Sequence, residues 1–323
     1  MKNAAAWTIA GTILLAAVPS AAQKKPAPPS IPAPPPAAAT ENPEAAFAAY
    51  QRGYFLTAFR EASRRAAQSD PQAMTLLGEL YANGFGVNRD DAKAADWYKR
   101  AADRGDREGT FALAMLRFEG RGGPRDPDEG AKLLEQAANL GHPAAAYDLG
   151  LLYLQGQQFP QDFKRAAELF TVGAKAGNPE SQYALATLYK EGRGVAKDEN
   201  QAMRLMGQAA IAGNLDAIVE FAIAQFNGKG AAKDEAAAAA LFLKAARRGS
   251  PIAQNRLARI LSAGRGMPAN PVEAMKWHIV AKASGNGDPD LDAYMASQKN
   301  EDREAAQKAA TLWMRTDKKA ANP

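Results

Sequence analysis

The chain has 323 residues, 40 Lys and Arg against 35 Asp and Glu, no cysteine and two histidines. These counts exclude disulfide frameworks, thiolate metal centres and cysteine nucleophiles, and they leave only His142 and His278 for imidazole chemistry. With 46% apolar and 23% charged residues the chain is mostly globular, and its length suits about two ordinary domains unless it is a repeat array.

Lys2 precedes an uncharged, mostly apolar stretch from Ala4 to Val18, followed by Pro19-Ser20-Ala21-Ala22. A basic start, an apolar centre and small residues at the cut describe a secretory signal peptide over 1–22, cleaved after Ala22. The stretch is 15 residues, short for a bilayer-spanning helix of about 20. A periplasmic or secreted protein is therefore expected, with no membrane span after cleavage. The alternative is an inner-membrane anchor formed by an uncleaved N-terminus. Residues 23–42 carry seven prolines. Proline lacks a backbone donor and fixes φ, so this segment reads as a Pro/Ala-rich disordered linker of polyproline character. Folded structure is expected from Pro43.

The rest of the chain fits a 36-residue ruler. Rows begin at Pro71, Arg107, Pro143, Pro179, Leu215 and Pro251 and need no gaps. Column 14 is glycine in every row: Gly84, Gly120, Gly156, Gly192, Gly228 and Gly264. Column 35 is also glycine throughout, from Gly105 to Gly285. Column 20 is Asp90, Asp126, Asp162, Asp198, Asp234 and Asn270. Such recurrence marks a repeat array with units 71–106, 107–142, 143–178, 179–214, 215–250 and 251–286.

Each row predicts two helices. In the first row Ala73, Leu77, Leu80 and Tyr81 recur at spacings of three and four, which gives one apolar helical face. Column 8 holds only Gly or Ala, which suits close helix approach. The column-14 glycine is a left-handed C-cap. A Gly-x-Gly loop follows in five rows and is broken by Gln158 in the third. The column-20 residue N-caps the second helix. Asp126-Pro127-Asp128-Glu129 and Asn270-Pro271-Val272-Glu273 add a proline at the first position and a capping-box glutamate. The second helix buries Ala94, Trp97, Tyr98 and Ala101. A lone hairpin cannot cover its apolar face, so stacked neighbours must. The expected fold is an all-α, right-handed α-solenoid of 36-residue helix-turn-helix repeats with a concave face.

Residues 43–70 predict a shortened opening pair, with helices at 46–50 and 54–67. Residues 287–316 predict capping helices at 291–297 and 300–315, with Asn300 as N-cap and Ala305, Ala309 and Trp313 on one face. Residues 317–323 are expected to be a disordered tail.

These columns, and above all Leu77-Gly78-Glu79-Leu80-Tyr81 with Trp97-Tyr98-Lys99-Arg100-Ala101-Ala102, resemble the Sel-one-like repeat (SLR) family, relatives of the tetratricopeptide repeat. The resemblance covers residues 71–286. It implies a scaffold or adaptor that binds a protein or peptide partner, not an enzyme; together with the signal pattern of residues 1–22 the expectation is an exported bacterial member. One secreted branch of the family carries a disulfide in each repeat and is linked to β-lactam binding. Without cysteine that assignment does not transfer to this chain.

No catalytic constellation emerges. His142 and His278 lie four rows apart, and repeats contact mainly their neighbours. A triad of His278 with Ser250 or Ser262 is conceivable, but a packing histidine fits better. No Ser-x-x-Lys occurs. The Gly-x-Gly loops follow helices rather than strands, so turn geometry explains them better than phosphate binding. The column-20 acids match no calcium loop. Neither cofactor nor metal is expected. The basic excess is slight and scattered, so nucleic acid is not an expected partner.

In related arrays the concave face is lined by first-helix columns 2, 5, 9 and 12. Here it reads as an apolar, partly aromatic stripe: Phe111, Met115, Phe118, Tyr147, Leu151, Leu154, Tyr183, Ile223 and Phe226. An exposed apolar patch usually marks an interaction site, and a partner helix laid in a groove would suit it. Cell-wall material stacked on Tyr147 and Tyr183 is the alternative ligand. The competing expectation is self-burial, with the stripe packed within the array or covered by residues 287–315.

Overall fold

The computed structural model describes residues 44–320. The expected signal peptide (1–22), the linker (23–42) and residues 321–323 of the expected tail lie outside the described residues. Every element among the described residues is helical. The chain is an all-α solenoid of repeated helical pairs and divides into two compact units.

The first unit, up to Asp162, holds α1 (Ala45–Gln51), α2 (Phe55–Ala67), α3 (Pro71–Asn83), α4 (Asp91–Ala102), α5 (Arg107–Glu119), α6 (Pro127–Asn139) and α7 (Pro143–Gln155). The second, from Phe163, holds α8 (Phe163–Lys175), α9 (Pro179–Glu191), α10 (Glu199–Ala212), α11 (Leu215–Asn227), α12 (Glu235–Arg247), α13 (Pro251–Ala263), α14 (Pro271–Ala283), α15 (Pro289–Ala296) and α16 (Asn300–Ala320). Within each unit a helix packs on the next in sequence, except that α16 packs on α14 rather than on α15. The core is built from the predicted columns: Leu77, Leu149 and Leu257 of column 7 and Ala94, Ala166, Ala238 and Ala274 of column 24 are fully buried. Each such leucine contributes about 2 kcal/mol of burial.

Helix ends follow a fixed code. The column-14 glycines all adopt φ of 68–70°, and each N–H reaches back to the column-10 carbonyl, as Gly84 to Leu80. Column-20 side chains cap α4, α6, α10, α12 and α14, as Asp126 accepting from the Glu129 amide at 2.9 Å. The capping box does not form as expected. The N–H of Asp126 is already donated to the Arg117 carbonyl and that of Asn270 to Leu261. With that donor taken, Glu129 turns to Arg117 Nε at 2.6 Å and Glu273 to Lys276.

The first helices carry caps that the sequence reading passed over. Asp70, Asp106, His142, Asn178, Asn214 and Ser250, the residues just before each row, accept from the backbone amides that open α3, α5, α7, α9, α11 and α13.

Repeats interlock through the Gly-x-Gly loop. Its middle residue reaches back 30 positions to the start of the preceding second helix. Arg121 bonds Asp91 at 2.7 Å, the Arg193 guanidinium lies 4.0 Å from the Phe163 ring centre, and Phe85 stacks on Phe55 at 4.6 Å. The second glycine lets the loop lie against that helix start. A Cβ on Gly194 would stand 2.1 Å from the Phe163 carbonyl oxygen. Where this glycine is absent, Gln158 bonds Asp128 instead.

The C-terminal helices need three corrections. Asn300 is the first helical residue rather than the cap, because the Lys299 carbonyl already accepts from the Arg303 amide. The face of α16 turned inward carries Ala306 and Ala310, not Ala305 and Ala309, with Trp313 edge-on to Trp277 at 5.4 Å. Finally α16 runs to Ala320, so residues 317–320 of the expected tail are helical. Lys318, Lys319 and Ala320 are good helix formers, and nothing there breaks the helix.

Candidate functional site

Six of the nine stripe residues lie on α5 and α7 of the first unit and three on α9 and α11 of the second. They do not form one exposed surface. Phe118 is 8% exposed and is corrected to a core residue. Column 24, alanine in the other rows, is Gly130 here, and the Phe118 ring fills the space above it: a Cβ there would come within 2.9 Å of the ring. Leu151, 6% exposed, is likewise a packing residue. Phe111, Met115, Tyr147, Leu154, Tyr183, Ile223 and Phe226 are half-buried.

In the first unit Phe111 lies flat on the His142 ring, 4.3 Å between centres and 20° apart. The Nδ1 of His142 accepts from the Ala145 amide at 3.0 Å and its Nε2 faces Glu108 at 3.0 Å. Both nitrogens are thus used for capping and cross-repeat bonding, as expected of a structural histidine.

Asp148 on α7 is a residue the sequence reading missed. Burial pushes its carboxyl up to about 6. A raised folded-state value means the charged form is disfavoured by folding, so the cost is absent below the unfolded carboxylate range near pH 4 and complete above about pH 6. Asp148→Asn should therefore stabilise the first unit by about 2 kcal/mol at pH 7 and leave it unchanged at pH 3. Urea unfolding of both forms at the two pH values reads this directly.

The second unit contains a true concavity. A cavity of about 540 Å³ lies over α11 and α13, with α15 as one wall. Ile223, Phe226, Ile260 and Leu291 give it an apolar floor, and Tyr294, Ser262, Arg256, Arg259 and Arg265 stand around it. A smaller concavity of about 330 Å³, bounded by Ile252, Asn255 and Asn286, shares Arg256 and Arg259 with it. Residues 287–315 therefore wall the apolar site in this unit rather than fill it.

Electrostatics order the rim. Asp288 caps α15, is 5% exposed, and receives Arg259 at 2.6 and 2.8 Å and Asn255 at 2.9 Å. Burial works against its charged form, but the bonds from Asn255 and Arg259 outweigh it and hold the carboxyl below its ordinary range. Arg259 also holds Asp290 at 3.0 Å. Arg265 lies 4.4 Å from the Phe226 ring centre and bonds Glu235, which holds that carboxyl down to about 2. The Arg256 guanidinium has no hydrogen-bond or ion-pair partner among the described residues.

The imagined hydrolytic pairing is not assembled. His278 is buried with Nε2 on Asp292 at 2.8 Å. The Ser250 hydroxyl caps α13, and the Ser262 hydroxyl donates to the Arg259 carbonyl. Among the described residues no group of three or more histidines and carboxylates gathers to hold a metal, and no helix is long and apolar enough to cross a membrane.

The Sel1 repeat family model matches the chain at residues 71–106, 107–142, 143–178, 179–214, 217–250 and 251–286. No curated protein matches it. Among solved structures the chain is similar to the Sel1 repeat protein from Oxalobacter formigenes, with 28% identity and a TM-score of 0.67 over 75% of this chain and 100% of that one. It is also similar to c5321, a protective antigen of uropathogenic Escherichia coli strains displaying an SLR fold, with 27% identity and a TM-score of 0.57. That match covers 80% of this chain, which spans 64% of the length of c5321.

Proposed function

We propose, from the premise that this chain belongs to the Sel1 repeat family, that it is an exported scaffold which docks protein partners at the cell envelope on its first-helix face. Sel1 repeat proteins generally mediate protein–protein interaction and are typically non-catalytic scaffolds. The observation that carries the reading is the cavity over α11 and α13, where apolar first-helix residues stay open beneath a charged rim. An apolar floor with a polar surround is the anatomy of an interaction site. Export rests on the signal-peptide pattern of residues 1–22.

Cell-wall material stacked on Tyr147 and Tyr183 has less support. Tyr183 is half-buried and its hydroxyl is given to Glu220 at 2.8 Å, so neither its face nor its polar tip is set for a sugar.

Ser262 sits at the cavity edge. Ser262→Trp should fill the opening, leave the melting temperature within about 2 °C, and cut recovery of envelope proteins at least tenfold in affinity capture with the mature chain as bait. Unchanged recovery removes the cavity from the account. A saturable muropeptide titration would favour the cell-wall reading.

A further inference from the structure

We propose that the groove over α11 and α13 takes a partner segment in which a carboxylate lies beside a bulky apolar side chain, the Arg256 guanidinium holding the carboxylate. The proposal rests on the docking function above and names the chemistry of what docks.

The placement of Arg256 carries it. In the preceding repeat the same column is Glu220, which reaches back to the first helix before it and meets Tyr183 at 2.8 Å and Lys190 at 2.9 Å. Column 6 is thus the position that addresses the preceding first helix. For Arg256 that helix is α11, where the positions equivalent to Tyr183 and Lys190 are Val219 and Phe226. Neither can give Arg256 the kind of pairing that Glu220 makes one repeat earlier.

The nearby acids are committed elsewhere. Asp288 and Asp290 bond Arg259, and Glu235 bonds Arg265 and pairs with Lys233 at 3.1 Å. Of the two arginines shared by both concavities, Arg259 holds Asp288 and Asp290, while Arg256 has no anion among the described residues. An arginine presents a planar fork of donors that matches a carboxylate in two parallel bonds. Arg256 is exposed in the free protein, so the bond gains strength as the docked segment covers it.

The apolar residues set what flanks the acid. On one side of Arg256 lie Ile223, Phe226 and Leu291 in the larger cavity. On the other, one helical turn back, Ile252 is 53% exposed in the smaller one. The groove therefore reads apolar, cationic, apolar, and its complement is an acid between two apolar side chains. Asp290 at the rim opposes any anion, but it is bonded to Arg259, and a single carboxylate meets it less often than the repeated charges of a nucleic acid strand would.

The test selects peptides from a random dodecamer display library against the full chain and titrates the enriched sequences by fluorescence polarisation. Enriched peptides should carry Asp or Glu within one helical turn of Phe, Leu, Ile or Met. Arg256→Gln should weaken them about tenfold or more, and so should exchange of the peptide acid for its amide. The two changes together should cost little more than either alone. Ser262→Trp should abolish binding. Peptides lost with Ser262→Trp but indifferent to Arg256→Gln would overturn the proposal while leaving the docking function standing. Peptides indifferent to both, no enrichment at all, or tighter binding of an oligothymidine than of any peptide would also overturn it.

Discussion

Gly194→Ala should destabilise the second unit by about 2–4 kcal/mol, and Gly177→Ala by only about 1. Both glycines have positive φ, 73° and 83°, so both substitutions strain the backbone alike. They differ in what a methyl would meet. Beside Gly177 nothing lies within 4 Å, whereas beside Gly194 the Phe163 carbonyl oxygen is at 2.1 Å and the Lys164 nitrogen at 2.7 Å. Those are backbone atoms at the start of α8, so no rotamer change relieves the clash. The loop between α9 and α10 must lift off the preceding repeat, and the contact of Arg193 with Phe163 goes with it. Urea unfolding monitored by helical ellipticity compares the two variants. Equal losses would mean that the second loop glycine serves only its own turn.

Arg259→Ala should loosen the C-terminal cap by about 2–3 kcal/mol. Its guanidinium is 44% exposed, which screens part of the interaction, but the partner Asp288 is 5% exposed and would keep a buried charge with only Asn255 and the α15 amides to satisfy it. Hydrogen exchange over residues 289–296 should rise in the variant while exchange over α10 stays unchanged. The pH dependence follows from the depressed carboxyl of Asp288. A lowered folded-state value contributes stability that is present above the unfolded carboxylate range near pH 4 and is lost as pH falls below it. Acid should therefore open α15 in the natural chain below about pH 4. The variant, having lost the arginine, should respond less.

Much of the fold was legible because the repeat imposes it six times over. One glycine ends a helix ambiguously; Gly84 and its five equivalents at one spacing leave no choice. The column-20 caps were readable for the same reason. What escaped depends on competition for a single donor or on a neighbour across the repeat. The capping box failed because the Asp126 N–H already serves Arg117, a contact that no local pattern records. The first-helix caps were in view as Asp70, Asp106, His142, Asn178, Asn214 and Ser250, but their column mixes four residue types, so it shows no recurrence like that of the glycine that precedes five of them. The loop clasp was equally visible as Arg121, Arg193 and Arg265 between paired glycines.

The candidate site was less legible. Ile223 and Phe226 of the expected stripe line the cavity, but its other wall, Leu291 and Tyr294, comes from a helix outside the repeat period. Phe118 misled because a side chain turns toward space, and the space above Gly130 is visible only when column 24 is compared across rows. Asp148 carries no pattern at all, since its shift arises from burial alone.

The central claim is that a protein partner docks on the first-helix face of the second unit. A photo-crosslinking amino acid at position 294, on the cavity wall, can be compared with one at position 211, where Ile211 on α10 is 86% exposed away from the cavity. Irradiation in the native envelope should give a discrete protein adduct from position 294 that Ser262→Trp removes, and none from position 211. Adducts from position 211 alone, or from both positions with no response to Ser262→Trp, would contradict the claim.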